Sequence, residues 1–390
     1  MTVNMETEHI HPLKLFELAK SQKRFLYTSA PMVRYSKLAF RKTVHEYGTD
    51  LCWTPMILAK EFNRNQFARD SDFTISTLGP QPPTIVQFGA NIPLELARAS
   101  TLVAPFASGV DLNCGCPQSW ACAEVLGAAL MERRELVRHM VVTTREHLRR
   151  DGWSVDLEHS ASDPHGRGRS VSVKIRVHKD LRKTVDFITT VLGPAQNRGV
   201  DFLTIHPRTR ATPSSAPIDV EALEVLTSMF GAQVPILVSG DVFTLGTLPY
   251  TSPVAPPRSV LPGNDGTQEG GEMLPSLPGL AGLMSARAIL ANPALYAGHD
   301  VCPWSAVDTF MNHAVRCPLP FKLVLHHLTE MCGPGFGPSK SALLSRKERA
   351  RMMGCLNMVD LIDFMDEKRM EKGGGVEVAR RETGDGVDQR

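Results

Sequence analysis

Five chemically versatile side chains stand at the ends of short apolar runs in this sequence. They are a thiol, an ammonium group, an imidazole and two amides, contributed by Cys116, Lys174, His206, Gln87 and Asn113. A thiol or an imidazole can transfer a proton, and an ammonium group can stabilise developing negative charge. If the fold brings the ends of the runs together, these residues would form a single site.

Each of these residues also has an ordinary structural explanation. Lys174 could be a snorkelling or ion-paired lysine, His206 a hydrogen-bonded core imidazole, and Cys116 an inert buried thiol. Gln87 and Asn113 could cap neighbouring loops. Their joint position at successive run ends favours the functional interpretation.

The runs that carry these residues have the spacing of an α/β barrel. Eight short, β-rich apolar runs alternate with stretches long enough to form helices. Strands that are apolar on both faces and separated by helices predict a parallel sheet, and eight such units favour a (β/α)8 TIM barrel over an open sheet. The runs cover residues 25–30, 51–54, 84–88, 110–113, 171–176, 201–206, 235–239 and 280–284.

The residues that follow the runs predict a binding site at the barrel mouth, because active sites of such barrels lie at the C-terminal strand ends. Small residues and an arginine after the seventh and eighth runs fit a phosphate site, in which backbone N–H groups and a guanidinium group share the charge. Pro31 and Met32 follow the first run, so we expect them at the same mouth. The sequence therefore predicts a phosphorylated ligand. The expected phosphate-site residues are Ser239, Gly240, Asp241, Ala286 and Arg287.

Composition excludes several classes of protein but indicates no partner. The chain has 390 residues, a net charge of +2, 42% hydrophobic and 22% charged residues, as in ordinary globular proteins. No run reaches the roughly 18 apolar residues of a membrane helix, and the first residues lack a signal-peptide core, so we expect an intracellular protein, cytoplasmic or nuclear, without membrane contact. The eight cysteines lack the paired spacing of zinc sites, which predicts free thiols and no metal.

Changes in patterning along the chain predict a barrel followed by a smaller all-helical domain. Residues 249–279 are rich in Pro and Gly without apolar periodicity, and we expect this insertion to be disordered. Residues 340–368 are expected to form one amphipathic helix that buries Leu343, Leu344, Met352, Leu356, Val359 and Phe364. The expected order is an N-terminal segment 1–24, a catalytic barrel 25–300, a helical domain 301–369 and a disordered tail 370–390.

Several motifs together resemble those of the tRNA-dihydrouridine synthases, over residues 25–368. Within that family, the residues that follow the first and eighth runs are most similar to the eukaryotic subgroup that acts on D-loop uridines 20a and 20b. The Asn-x-Gly-Cys-Pro core is the most specific of these motifs. The matching segments are Ala30-Pro31-Met32, Asp111-Leu112-Asn113-Cys114-Gly115-Cys116-Pro117, Val173-Lys174-Ile175-Arg176, His206-Pro207-Arg208-Thr209-Arg210, Met284-Ser285-Ala286-Arg287 and Asn292-Pro293.

The resemblance implies an FMN-binding barrel, reduced by NADPH, and a helical domain that recognises tRNA. Hydride from reduced flavin would add to C6 of uracil, and Cys116, immediately before the proline, would protonate C5. Lys174 would lie at the N1/O2 edge of the flavin, and His206 would donate a hydrogen bond to the same ring. Gln87 would contact the polar edge of the flavin, and Asn113 would contact the uracil or its ribose.

A uridine inside folded tRNA must leave its stack to reach the barrel mouth, so the rest of the tRNA needs a positively charged surface. We expect Arg176 and Arg208 to bind substrate, and Arg208, Arg210 and Lys340 to extend the positively charged patch. A solvated helix face is the alternative explanation of this charge run. The main expected tRNA-binding cations are Arg346, Lys347, Arg349 and Arg351.

The sequence departs from the family pattern at three places. Pro207 stands where the family usually has Gly, Ser239 replaces an Asn, and Ala286 replaces the Gly before Arg287. None of these changes removes a charged or titratable group from the expected site. Two other functions stay open on the sequence: an FMN-dependent TIM-barrel oxidoreductase acting on a small molecule, and a non-catalytic tRNA-binding module.

Overall fold

A computed structural model describes residues 10–76, 80–156, 166–252 and 274–372. Its parallel strands close into a barrel in the order β2-β1-β9-β8-β7-β6-β5-β4-β3, with β2 also paired to β4. The two-residue strand β3 lies beside the end of β4, so the other eight strands form the expected TIM barrel. The strands are β1 (Leu26–Ser29), β2 (Leu51–Trp53), β3 (Ile57–Leu58), β4 (Thr84–Gly89), β5 (Gly109–Cys114), β6 (Ser170–Arg176), β7 (Phe202–His206), β8 (Ile236–Ser239) and β9 (Leu280–Ser285).

Helices cover the outside of the barrel and continue after its last strand. The barrel helices pack against one another in sequence, as α5 does on α7 and α7 on α8. The helices are α1 (Pro12–Ser21), α2 (Leu38–Glu46), α3 (Ala59–Arg64), α4 (Gln66–Asp72), α5 (Pro93–Val103), α6 (Ser119–Ala123), α7 (Arg134–Arg150), α8 (Leu181–Leu192), α9 (Val220–Phe230), α10 (Arg287–Ala291), α11 (Trp304–Arg316), α12 (Phe321–Met331), α13 (Arg346–Met352) and α14 (Met358–Glu371).

The N-terminal helix α1 closes the bottom of the barrel. Leu15, Phe16 and Ala19 form one buried cluster with residues of the barrel interior, including Trp53 and Phe202. The rings of Phe16 and Phe202 lie 5.6 Å apart. Because these apolar side chains are removed from water only in contact with the strands, helix α1 contributes to the barrel core.

The C-terminal helices pack directly onto the barrel. Helix α11 lies on α2, and α12 lies on α10. His327 of α12 is fully buried, and its ring centroid lies 5.2 Å from those of Tyr35 and Phe40 on the barrel and 4.6 Å from that of Phe310 on α11. These aromatic contacts join the helical part of the chain to the barrel.

The prediction of one continuous helix over residues 340–368 is wrong. A capping box between Ser345 and Glu348 starts α13, and the side chain of Asn357 caps a separate helix, α14, by accepting from two backbone N–H groups. The side chains of Leu356 and Val359 are consequently exposed, at 85% and 66%, instead of buried. Local caps therefore override the apolar spacing at this point.

Most of the expected insertion 249–279 and of the expected tail 370–390 lies outside the described residues. The described ends of the insertion are packed: Tyr250 and Leu277 are buried in the main core. The N–H of Thr251 also donates to the carbonyl of Pro275 over 3.0 Å. The residues on either side of 253–273 are therefore part of the barrel.

Candidate active site

Strand register places the expected site residues side by side at one end of the barrel. Asn113 of β5 is directly opposite Lys174 of β6, and Arg176 of β6 is opposite His206 of β7. All of these residues lie in the C-terminal halves of their strands, so their side chains surround the same mouth. The structure thus brings together the cation, the amide and the imidazole predicted from sequence.

A chain of buried hydrogen bonds runs across three strands beneath this mouth. Ser172 Oγ donates to Asp111 Oδ1 over 2.6 Å, and Gln87 Nε2 donates to Asp111 Oδ2 over 2.7 Å. Asn113 Nδ2 then donates to Gln87 Oε1 over 2.8 Å. Because the Asp111 carboxylate can only accept, it orients both amides in turn. Asp111 was not predicted from sequence; its only signal was a charged residue inside an apolar strand.

This chain ends at the loop that carries Cys116. Asn113 Oδ1 accepts from the backbone N–H groups of Gly115, at 3.0 Å, and Cys116, at 2.9 Å. On its other side the Cys116 carbonyl accepts from the N–H of Ala128 over 2.8 Å. Gly127 has φ +58°, and a Cβ there would approach the Cys116 carbonyl oxygen to 2.6 Å. The cysteine loop is therefore held from both sides.

Both amides also have partners within the barrel. The oxygen of Asn113 accepts from the cysteine loop and one of its N–H groups donates to Gln87, so Asn113 supports the loop of Cys116 in addition to the contact expected of it. Gln87 likewise bonds to two side chains within the barrel. The two nearby thiols differ in exposure, since Cys114 is fully buried and Cys116 is half-buried. Burial raises the pKa of the Cys114 thiol well above its usual value, which leaves it unreactive.

Lys174 is the one side chain of this group that has no hydrogen-bond or ion-pair partner among the residues the structure describes. Burial lowers the pKa of its ammonium group to about 8, despite the opposing effect of Asp111. Burial also raises the pKa of Asp111 to about 6. A desolvated ammonium group without a partner is costly, so the geometry indicates that a ligand supplies its acceptor.

His206 is held as a neutral imidazole by its neighbours. Burial, followed by the nearby charges of Lys174 and three arginines, lowers the pKa of His206 to about 2. Arg208 Nη1 lies 3.0 Å from His206 Nε2, and since a guanidinium group can only donate, Nε2 is the acceptor. The ring proton is therefore on Nδ1, which can donate to a ligand.

Arg208 is placed differently from the prediction that it extends a surface patch for tRNA. Its side chain is buried, forms an ion pair with Asp241 at 2.5 Å and donates to the carbonyl of Ala216. Both carboxylate oxygens of Asp241 therefore have partners, because the second one accepts from the N–H of Ile218 over 2.8 Å. A buried ion pair explains both residues, so neither side chain is free to contact a phosphate directly.

Arg176 also connects loops instead of projecting freely. Its Nε donates to the carbonyl of Gly115 over 2.9 Å, and Nη1 donates to the carbonyl of Thr209 over 2.7 Å. The guanidinium group thus ties the cysteine loop to the loop that follows β7. Arg176 lies beside the mouth, where a substrate contact is expected of it. Its two hydrogen bonds also stabilise the two loops that it joins.

The expected phosphate end of the mouth is lined by small residues and one accessible cation. Gly240 has φ +116°, and a Cβ there would lie 3.1 Å from the His206 ring. The side chain of Arg287 is exposed, donates to the carbonyl of Ser214 over 3.0 Å and lies 5.5 Å above the ring of Phe336. Ser239, Ala286, Pro31 and Met32 occupy the neighbouring strand ends. Glycine is therefore required at position 240 by its backbone angle and by close packing, and Arg287 is the accessible cation at this end of the mouth.

The basic helix α13 offers fewer free cations than the sequence suggests. Arg349 donates to the carbonyl of Leu344 over 2.7 Å, and the guanidinium carbon of Arg351 lies 5.6 Å from the ring centroid of Phe364. Arg346 and Lys347 are exposed and have no such contact among the described residues. Of the four cations compared, these two are therefore the most available to a polyanion.

Two negative observations apply to the described ranges. No helix within them is both long and apolar enough to cross a membrane. The same residues contain no group of three or more His, Cys, Asp or Glu side chains arranged to hold a metal ion.

Comparison with known proteins gives one consistent family. Residues 28–251 match the model of the dihydrouridine synthase (Dus) family. The chain is 35% identical over 322 residues to the tRNA-dihydrouridine(20a/20b) synthase [NAD(P)+] of Schizosaccharomyces pombe. The matched region covers 83% of each of the two chains. It is 32% identical over 385 residues to the protein of the same name in Saccharomyces cerevisiae, covering 96% of this chain and 90% of that protein. A human protein named as similar to these enzymes is 33% identical over 356 residues, covering 91% and 93%.

Proposed function

Since the chain belongs to the dihydrouridine synthase family, and is thereby an oxidoreductase, we propose that it reduces uridines 20a and 20b in the D-loop of tRNA to dihydrouridine. The reaction would use bound FMN, with NADPH as the reductant. The names of the similar yeast enzymes support the two positions and a nicotinamide cofactor. The choice of NADPH over NADH rests on the family resemblance.

The observation that carries this proposal is the unpartnered ammonium group of Lys174 beside the neutral His206. A flavin carries its negative charge on the pyrimidine edge when it is reduced, and a buried cation matches that charge. His206 Nδ1–H adds a neutral donor to the same region. The residues present therefore fit a flavin ring on an observation independent of the family match.

The phosphate end fits the other part of FMN. Arg287 is exposed at the start of α10, and the first backbone N–H groups of a helix have no partner within the helix. Gly240 lets the loop after β8 pass close to the side chains of Ile218, Arg208 and His206, where a Cβ would collide with them. Arg287 and these backbone groups would hold the phosphate, while the Arg208–Asp241 pair keeps the adjoining loop in place.

Bound FMN, once reduced, would supply hydride to C6 of the uracil. The chain itself has to supply a proton at C5, and Cys116 is the half-buried thiol whose backbone N–H donates to the amide support, Asn113. A thiol can donate its proton to a reacting carbon, so Cys116 would act as the general acid. The loop of Cys116 would be held in a fixed position at the mouth by the hydrogen-bond chain of Asn113, Gln87 and Asp111.

The substrate uridine must be flipped out of the tRNA to enter this mouth. Phosphates on either side of it then need cations outside the pocket. Arg346 and Lys347 on α13 are exposed and free, which suits this role. A tRNA substrate also agrees with the expected location in the nucleus or the cytoplasm.

The proposal is tested with purified protein and a tRNA transcript that carries uridine at 20a and 20b. We expect a yellow protein with about one FMN per chain, and NADPH-dependent gain of two hydrogens at each position, mapped by mass spectrometry of nuclease fragments. A matched transcript with cytidine at both positions is the control and should stay unmodified. Reduction at other uridines would contradict the assigned positions, and a colourless protein that does not take up FMN would contradict the flavin chemistry.

A further inference from the structure

Arg34 has a backbone conformation that residues with a side chain rarely adopt. Its φ is +72°, in the left-handed region, where contact between Cβ and the backbone makes the conformation unfavourable for residues other than glycine. Arg34 lies in the loop that follows β1, four positions after Ala30 and beside the barrel mouth. Backbone strain at the rim of a binding site is often retained for function.

The turn around Arg34 is tightly fixed. Ser36 Oγ accepts from the N–H of Met32 over 3.0 Å and donates to the carbonyl of Ala30 over 2.9 Å. The carbonyl of Met32 accepts from the N–H groups of Tyr35, at 3.1 Å, and Ser36, at 3.0 Å. These four bonds hold the left-handed conformation in place.

The next residue ties this turn to the C-terminal helices. The ring of Tyr35 meets that of His327 edge-on, at 5.2 Å between centroids. Arg34 therefore lies where the barrel mouth meets the helical part of the chain. A large substrate that enters the mouth and rests on the helices would pass this residue.

Arg34 is also the free cation of its segment. Lys37 donates to the carbonyl of Ser71 over 2.6 Å, and Arg41 is buried and donates to the carbonyl of Ser36 over 2.8 Å. Arg34 is exposed and has no hydrogen-bond or ion-pair partner among the described residues. Its neighbour Val33 is 56% exposed, so the tip of the turn projects into solvent.

We propose that Arg34 binds a phosphate of the RNA backbone next to the reacting uridine. A nucleotide flipped into the mouth necessarily brings its flanking phosphates to the rim, and a guanidinium group binds phosphate through paired N–H donors. The hydrogen bonds of the strained turn fix the backbone of Arg34 beside the mouth, and its side chain is exposed there. The inference rests on the proposed tRNA substrate.

The test compares Arg34→Gly with Lys23→Gly by tRNA binding at several salt concentrations. Lys23 is the matched control because it is an exposed cation with φ +54° that lies just before β1, at the opposite end of the same strand. Glycine removes the charge and relieves the backbone strain in both variants, so both should unfold at a slightly higher temperature than the wild type. Only Arg34→Gly should lose tRNA affinity, with the slope of log K against log salt smaller by about 0.7 to 0.9.

A third variant, Arg34→Lys, retains the charge and should keep that salt slope while binding less tightly. The FMN affinity of Arg34→Gly should equal that of the wild type. Wild-type affinity and slope in Arg34→Gly would overturn the inference, and so would an equal loss in Lys23→Gly. If the wild type itself reduces tRNA while Arg34→Gly binds normally, only this inference fails; if the wild type does not bind tRNA, the proposed function fails with it.

Discussion

Arg208 Nη1 donates a hydrogen bond to His206 Nε2 over 3.0 Å, and this bond fixes the imidazole proton on Nδ1. Arg208 is in turn held by Asp241 through an ion pair of 2.5 Å. Arg208 thus sets the tautomer of His206, and Asp241 keeps Arg208 in place. The donor that His206 offers to a ligand is a consequence of this arrangement.

Removing the Arg208–Asp241 pair should raise the pKa of His206. The double substitution Arg208→Gln with Asp241→Asn deletes a cation that lowers this pKa without leaving an unpaired buried charge. We expect the pKa to rise from about 2 toward the ordinary value of 6.5, measured by NMR titration of the imidazole in FMN-free protein. His327 lies elsewhere and serves as the internal reference. An unchanged His206 titration would contradict the assigned electrostatics.

Cys116 and Cys114 should give opposite results. Cys116→Ala should bind FMN and accept electrons from NADPH as the wild type does, yet reduce tRNA about 10² to 10⁴ times more slowly, as for a lost general acid. Cys114→Ala removes a buried, unreactive thiol and is expected to keep nearly full turnover. Rapid-mixing measurements separate flavin reduction from flavin reoxidation by tRNA. If the two variants exchanged phenotypes, the assignment of the acid would be wrong.

Asp111 should control turnover through the position of Cys116. Asp111→Leu removes the acceptor that orients Gln87, so the cysteine loop loses its support from Asn113. We expect tRNA reduction to slow by about 10²-fold, the order of effect of a misplaced reacting group. Asp111→Asn can still present an oxygen to Gln87 while its amide donates to Ser172, and should restore most of the rate.

The comparison of these two Asp111 variants distinguishes positioning from packing. The oxidised flavin spectrum and the rate of flavin reduction by NADPH should stay close to wild type in both, because the step that needs Cys116 comes later. An equal loss in Asp111→Leu and Asp111→Asn would show that the charge of Asp111 acts directly, contrary to the positioning role.

His327 should make the protein less stable in acid. Burial lowers its pKa to about 3 in the folded protein, whereas the unfolded chain takes up the proton near 6.5. The unfolded state therefore binds more protons below pH 6.5, and the stability present above that pH is lost as the pH falls toward about 3.

His327→Phe should remove this contribution while keeping a ring among Phe40, Phe310 and Tyr35. The free energy of unfolding from urea titrations between pH 6 and 4 should then fall less steeply than in the wild type, by about 1.4 kcal/mol per pH unit. An identical pH dependence in both proteins would contradict the burial of a neutral His327.

The free cations of α13 should contribute to tRNA binding more than the engaged ones. Arg346→Ala with Lys347→Ala should weaken tRNA binding and reduce its salt slope by about 1.4 to 1.8, for two lost phosphate contacts. Lys20→Ala with Lys23→Ala removes two exposed cations at the opposite end of the barrel and is the control. Equal effects of both pairs, in fluorescence anisotropy at several salt concentrations, would mean that only overall charge matters.

Much of the fold and the identity of the reactive residues follow from sequence. The eight apolar runs determined the barrel, because a strand buried on both faces needs apolar residues throughout. Residues at the run ends determined the mouth, since parallel strands bring all their C-terminal ends to one side. The Asn113-Cys114-Gly115-Cys116-Pro117 segment determined the family, because its residue types and spacing are highly specific.

Tertiary structure decided which of these side chains are free and which are engaged. The support that Asn113 gives to the loop of Cys116 depends on its hydrogen bond to Gln87, which is 26 positions away in sequence and is brought beside β5 only by strand pairing. Arg208 and Arg34 are both arginines in loops that follow strands, yet Arg208 is buried against Asp241 and Arg34 is exposed in a strained turn. Hydrogen-bond partners and backbone dihedral angles are properties of the folded chain, and residue type alone does not specify them.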